Sequence, residues 1–214
     1  TAPVYAVLAD TIMKEQIPNV QLLTALKTMP PAVRALCKGE TKIDGFLAPG
    51  HVAVITGEGP WHQLAAAQGL PFVISGFTGE ELLCSLYALV RLAGQGVCKN
   101  LYPAAVRPEG NPAARALVDR YFEPTDAAWR GLGILPGSGL VLRPQYQHLD
   151  AGSAQLTTDA AAQSGCRCAQ VITGAIPPTA CPLFGTVCTP GTPRGACMVS
   201  GEGSCHNAYL NHRM

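Results

Sequence analysis

Residues 43–92, IDGFLAPGHVAVITGEGPWHQLAAAQGLPFVISGFTGEELLCSLYALVRL, alternate between two kinds of pattern. Ile43 to Leu47 is a short apolar run suited to a buried strand, and it ends in Pro49-Gly50-His51. Trp61 to Gln68 reads as a helix and Phe72 to Ile74 as a second strand. Thr78 followed three positions later by Glu81 is a capping box, in which each side chain satisfies a backbone N–H of the other, and it starts a helix through Leu92. Strands alternating with helices are the pattern of parallel strands joined by helical crossovers. An α/β domain with a largely parallel sheet and flanking helices is therefore predicted.

The same alternation extends outward. Val4, Val7, Leu8 and Ile12 recur at helical spacing until Pro18, and Val20 to Leu26 then reads as a short extended segment. Pro31 suits the first turn of a short helix to about Cys37, because its missing N–H costs nothing there. Asn111 with Pro112 opens another helix to about Phe122. This places the α/β domain over residues 1–150. From about Asp150 to Gly165 the sequence turns to Ala, Ser, Thr, Gln and Gly and reads as a linker, so that 151–214 comprises a linker and a small irregular cysteine-rich module.

The chain has 214 residues, 48% of them hydrophobic, enough for a buried core. Lys plus Arg total 15 against 14 for Asp plus Glu, so no net field attracts nucleic acid or an anionic membrane surface. No apolar run approaches the roughly 18 residues of a membrane span, and there is no basic-then-apolar signal pattern, which leads to the expectation of a cytoplasmic protein. The chain begins at Thr1 and runs straight into helical patterning, which suggests that an upstream part is missing.

Six of the nine cysteines lie between Cys166 and Cys205, a stretch whose only charged residues are Arg167, Arg194 and Glu202 and which holds six Gly and five Pro. So few large apolar side chains cannot form a core, and the cysteines are the natural means of holding it together. Disulfides would suit a secreted module, but no export signal is visible. Structural zinc favours paired ligands two to four residues apart, and no C-x-x-C occurs. An iron-sulfur cluster is bulkier and accepts thiolates from separated loops, which the wide spacing fits better. Spacing alone does not pick four ligands from six cysteines.

GCRC at 165–168, CPLFGTVCTP at 181–190 and GACMVSGEGSC at 195–205 resemble the C-terminal signature of the HypD family of nickel-iron hydrogenase maturation factors. IDGFLAPGHVAVITG at 43–57, VRPEGNP at 106–112 and FEPTDAAWRGLGILPGSGL at 122–140 resemble its middle domain, in the same order. The resemblance implies a 4Fe-4S cluster held in a C-x14-C-x6-C-x16-C arrangement, which Cys166, Cys181, Cys188 and Cys205 reproduce. Cys168 and Cys197 match family cysteines implicated in dithiol–disulfide exchange, with buried free thiols as the alternative. The implied role is that of a redox-active assembly factor, working with a HypC-type chaperone and a HypE-type cyanide donor on the Fe(CN)2CO centre of nickel-iron hydrogenase. The family's CGGHT and GPGCPVC motifs are absent, and Thr1-Ala2-Pro3 looks like the end of its GFETTAP motif, so the chain is expected to lack the N-terminal domain. A stand-alone iron-sulfur or thiol oxidoreductase and a zinc-stapled interaction module are the competing functions.

Five further positions carry readings of their own. His51 follows the first strand, where ligands of parallel sheets gather, although a loop histidine needs no such role. Glu202 matches a family glutamate near the reactive centre, which implies a role in moving protons coupled to thiol chemistry, with a solvated loop residue as the alternative. Ser138, in PGSGL, lacks the G-x-S-x-G elbow of a hydrolase and reads as part of a turn near the domain interface. Trp61 and Trp129 are expected in or near the core.

Overall fold

The computed structural model describes residues 1–39, 41–129, 131–153, 156 and 165–211. Its centre is a three-stranded parallel sheet of β1 (Phe46–Pro49), β2 (Phe72–Ser75) and β3 (Cys98–Asn100), in the order β1-β2-β3. Phe46 pairs with Phe72 across the first ladder, and Phe72 with Cys98 across the second. The crossovers are helical: α3 (Gly50–Thr56) and α4 (Gly59–Gln68) join β1 to β2, and α5 (Gly79–Arg91) joins β2 to β3. All four residues of β2 are buried, as its uninterrupted Phe-Val-Ile run requires of a strand covered on both faces. The Thr78–Glu81 capping box forms as expected, Thr78 N–H donating to Glu81 at 2.9 Å and Glu81 N–H to Thr78 Oγ1 at 3.3 Å.

The expected α/β architecture is present, with differences in detail. The first strand begins at Phe46 rather than Ile43, because Phe46 N–H is the first to bond across to Pro71 O, at 2.9 Å. Lys42 N–H is taken instead by Thr173 O, at 3.0 Å, a distant carbonyl. Pro49-Gly50-His51 opens α3. Gly50 is needed there because a Cβ would stand 2.5 Å from Ser75 O and 2.6 Å from Tyr102 Cδ1. Trp61 is 1% exposed and sits with Val33, Ala48, Leu64, Phe72 and Ile74 in the core beside the sheet, where the Phe46 and Phe72 rings stack at 4.7 Å.

A second core joins α1 (Ala2–Lys14), α6 (Pro112–Tyr121) and an antiparallel hairpin of β4 (Phe122–Trp129) and β5 (Gly133–Leu142). Helix α1 buries Ala6, Ala9 and Ile12, whereas Val4, Val7 and Leu8 are exposed, so of the apolar stripe read from the sequence only Ile12 lies on the packed face. The alanines lie toward α6, where small side chains allow close helix approach; Tyr121 of α6 donates to Asp10 Oδ1 at 2.9 Å. Val20 to Leu26 is extended as expected and is tied by isolated bonds, Leu22 N–H to Leu149 O at 2.7 Å and Leu140 N–H to Leu26 O at 3.1 Å. The sequence reading leaves the hairpin unassigned. Ser138 lies within β5 rather than in a turn, fully buried, accepting from Trp129 Nε1 at 2.8 Å and donating to Leu135 O at 2.7 Å. Trp129 is only partly buried.

Helix α2 (Met29–Leu36) has proline in its first turn and packs Val33 against the sheet core. Beyond β5 come a 3-10 turn (Pro144–Leu149) and the bonds that tie residues 149–153 to 22–24, among them Thr24 N–H to Ser153 Oγ at 2.8 Å. Most of the stretch read as a linker, residues 154, 155 and 157–164, lies outside the described residues. The cysteine segment contains α7 (Cys168–Ile172), a 3-10 turn (Pro178–Ala180), α8 (Ala196–Val199) and α9 (Ser204–Asn211). Among the described residues no helix is long and apolar enough to cross a membrane.

Candidate thiol-lined cofactor site

The cysteine segment folds into short pieces that each deliver a thiol. Cys168 is the first residue of α7, Cys197 lies in α8 and Cys205 in α9, while Cys181 follows the turn Pro178–Ala180. Cys188 closes a loop in which its N–H donates to Leu183 O at 2.8 Å and its carbonyl accepts from Gly185 N–H at 3.0 Å. Two glycines make the assembly possible. A Cβ at Gly195 would lie 2.6 Å from Cys166 Sγ, and one at Gly203 would collide with the carbonyl of Cys197. The loop between α8 and α9 is pinned by Asn207, whose Nδ2 donates to Gly201 O at 3.2 Å and Gly203 O at 3.1 Å.

The result is one small cavity lined by all six of these cysteines together with Val171, Phe184, Gly195 and Met198. Five of the six are buried, and Cys166 is half-buried. Cys168 Sγ and Cys197 Sγ are 2.8 Å apart, against about 2.05 Å in a disulfide bond. Among the described residues no group of three or more His, Cys, Asp or Glu side chains is arranged to hold a metal ion, so the six thiols share a cavity without forming the coordination sphere of a single ion.

The electrostatics follow from burial. It pushes the Cys205 thiol up to about 11, with smaller contributions from Cys168, Cys181 and Cys188. Cys166 is raised for the same reason, and its neighbours again include Cys168, Cys181 and Cys188. Cys197 is raised first by its hydrogen bond with Cys168 and then by burial. Thiols so placed hold their protons at neutral pH, and a bound cation is what would convert them into thiolate ligands.

The other sequence candidates lie elsewhere. Glu202 is exposed on the loop between α8 and α9, its N–H bonded to Ser200 Oγ at 3.2 Å, and it does not line the cavity. His51 is exposed in the first turn of α3, at the carboxyl end of β1, with its ring 5.1 Å from that of Phe77. It too is absent from the thiol cavity. Cys37, Cys84 and Cys98 do not line it either; Cys98, in β3, is pushed up to about 12 by burial and then by Glu58. Sequence reasoning missed the supporting residues: Gly195 and Gly203, Asn207, and His206, whose Nδ1 is 3.2 Å from Met198 O. The glycines within GACMVSGEGSC were the available signal.

Fold and site together define an α/β protein carrying a buried, thiol-lined centre. The family model HypD, described as "Hydrogenase formation hypA family", matches residues 1–212, and the chain belongs to the HypD family. It is similar to the hydrogenase maturation factor HypD of Rhizobium leguminosarum bv. viciae, 41% identical over 86% of this chain and 49% of that protein. It is also similar to HypD of Escherichia coli (strain K12), 35% identical over 98% of this chain and 58% of that protein. The hydrogenase expression/formation protein HupD of Azotobacter chroococcum mcd 1 is 34% identical over the whole chain and 59% of its own length. The chain thus spans about half to three-fifths of these relatives.

Proposed function

We propose that this chain takes part in nickel-iron hydrogenase maturation as the portion of a HypD-type scaffold that carries a 4Fe-4S cluster. Residues 1–150 would supply the α/β body and 151–214 the linker and cluster module, in a cytoplasmic protein. The observation that carries this reading is the meeting of six thiols in one cavity. Four of them, Cys166, Cys181, Cys188 and Cys205, have the family's intervals and would be the ligands. The lining fits such a group in kind: its donors are thiols, its other walls are apolar, and Gly195 leaves room where a Cβ would press on Cys166 Sγ.

When bound, a cluster of this type supplies one-electron transfer. Cys168 and Cys197 would serve as the neighbouring dithiol. Their oxidation joins the two Sγ atoms and yields two electrons and two protons, available to assembly of the cyanide- and carbonyl-bearing iron, which is cargo here. Val171, Phe184 and Met198 exclude water from the thiols. Glu202, two residues beyond Ser200 on an exposed loop, would exchange protons at the module's surface, and His51 would act from the α/β body. A HypC-type chaperone and a HypE-type cyanide donor are the partners this role requires.

Anaerobic purification followed by iron, sulfide and zinc analysis tests the proposal. About four iron and four sulfide per chain are expected. Stoichiometric zinc without sulfide would replace the reading with a zinc-stapled interaction module. Cluster content without co-purification of a HypC-type partner, in the presence and absence of the family's N-terminal part, would favour a stand-alone oxidoreductase.

A further inference from the structure

Helix α7, which begins with Cys168, is held at both ends by residues from outside the cysteine segment. At its far end Thr173 O accepts from Lys42 N–H at 3.0 Å and from Thr41 Oγ1 at 3.4 Å. At its near end stands Gly131, in the turn between β4 and β5, where a Cβ would lie 3.3 Å from both Cβ and Sγ of Cys168. Cys197 is anchored differently, within the segment itself, by the close approach of Gly203 to its backbone. Cys168 is thus bounded from two regions, by Gly131 of the hairpin turn and by Gly195 of the segment, whose own Cβ would lie 3.3 Å from Cys168 Cβ, whereas the approach to Cys197 comes from within the segment. The hairpin turn therefore bounds one side of the pair, whose sulfurs stand 2.8 Å apart.

We infer that Gly131 is a positioning residue for the Cys168–Cys197 pair: its bare backbone sets where Cys168 Sγ stands and so governs how readily the disulfide forms. The inference rests on the proposed dithiol role of those two cysteines. A side chain at 131 would press directly on Cys168, and small displacements matter because disulfide geometry is narrow.

The same turn provides an internal control. Gly133 also has a positive φ, +77° against +84° at Gly131, but a Cβ there meets nothing within 4 Å. Gly131→Ala and Gly133→Ala therefore impose a similar backbone strain, and only the first touches the thiol. The measurement is the equilibrium of the full chain with a buffer of oxidised and reduced glutathione, read by mass spectrometry after alkylation. In this exchange the glutathione disulfide bond breaks, the Cys168–Cys197 bond forms through one mixed disulfide, and the two protein protons end on two glutathione thiols. Gly131→Ala should change the exchange constant by about tenfold or more, equal to about 30 mV for a two-electron couple, while Gly133→Ala stays within about twofold. Iron and sulfide content should be unchanged in both.

Equal constants in Gly131→Ala and the unaltered protein would overturn the positioning role and leave the dithiol role standing. Equal shifts in both variants would assign the effect to turn strain and also overturn it. Failure of the unaltered protein to form the disulfide at any ratio would overturn both. Should Gly131→Ala not fold, Gly131→Asn makes the same contact with a residue that tolerates left-handed backbone, and the same shift is expected of it.

Discussion

The two cores of the α/β body and the core of the cysteine segment are built from different materials. Around the sheet, Trp61, Phe72, Ile74 and Leu64 interlock, and their burial is the stabilising force. Around the cavity the buried set is five cysteines with Val171 and Met198. The first kind of core exists whenever the chain folds. The second brings together thiols whose burial gains little, and it leaves Cys205 and Cys197 with raised proton affinity, a cost that the proposed cluster would offset. Where a core is made of ligating atoms, its stability and its chemistry are one property.

This contrast predicts a separation of effects. The largest should come from Cys181→Ala, or the same change at Cys166, Cys188 or Cys205: bound iron and sulfide fall to background, while the melting transition of the α/β body is kept. Trp61→Ala should do the reverse, costing the α/β body about 3–5 kcal/mol in denaturant melts with cofactor content per folded chain intact. Loss of cofactor in Trp61→Ala, or global unfolding in Cys181→Ala, would merge what is here kept apart.

Smaller changes sharpen the same division. Thr78→Ala removes one half of the capping box on α5 and should cost about 1 kcal/mol of α/β stability, without affecting thiol exchange. Smaller still is a pH effect at Asp10, whose carboxyl is held below the usual range by Lys14, at 2.6 Å, and then by the Tyr121 hydroxyl. A carboxyl depressed in the folded state contributes stability above its unfolded value, about 3.9, and loses it as pH falls through the folded value. Asp10→Asn should therefore lose less stability than the unaltered protein between neutral and strongly acidic pH, as followed by thermal melts.

How much of this was legible in the sequence depended on the range of the interactions. Strand β2, the box at Thr78 and the Asn111-Pro112 start of α6 are local signals, and they appear in place. The start of β1 is shifted because Lys42 is bound to Thr173, 131 positions away in sequence. The stripe on α1 misled because Ala6 and Ala9, weak in any hydrophobicity reading, form the face that packs. The hairpin escaped because Pro124, Gly137 and Gly139 weaken its strand pattern, and its bulge between Thr125 and Ala127 breaks the alternation. At the site, composition pointed to a sulfur-held module, and the family's intervals singled out four residues. That Gly131, from the hairpin, would touch Cys168 was beyond either signal.

The central claim is that residues 165–205 are ordered by what their thiols bind, whereas the α/β body is ordered by apolar packing. Hydrogen–deuterium exchange on the anaerobically purified chain, before and after iron is removed by a chelator under reducing conditions, tests it within one molecule. The account predicts that amides of α7, α8 and the Leu183–Cys188 loop lose protection on iron removal while those of β2 and α4 keep theirs. Unchanged protection across the cysteine segment after complete loss of iron would contradict it.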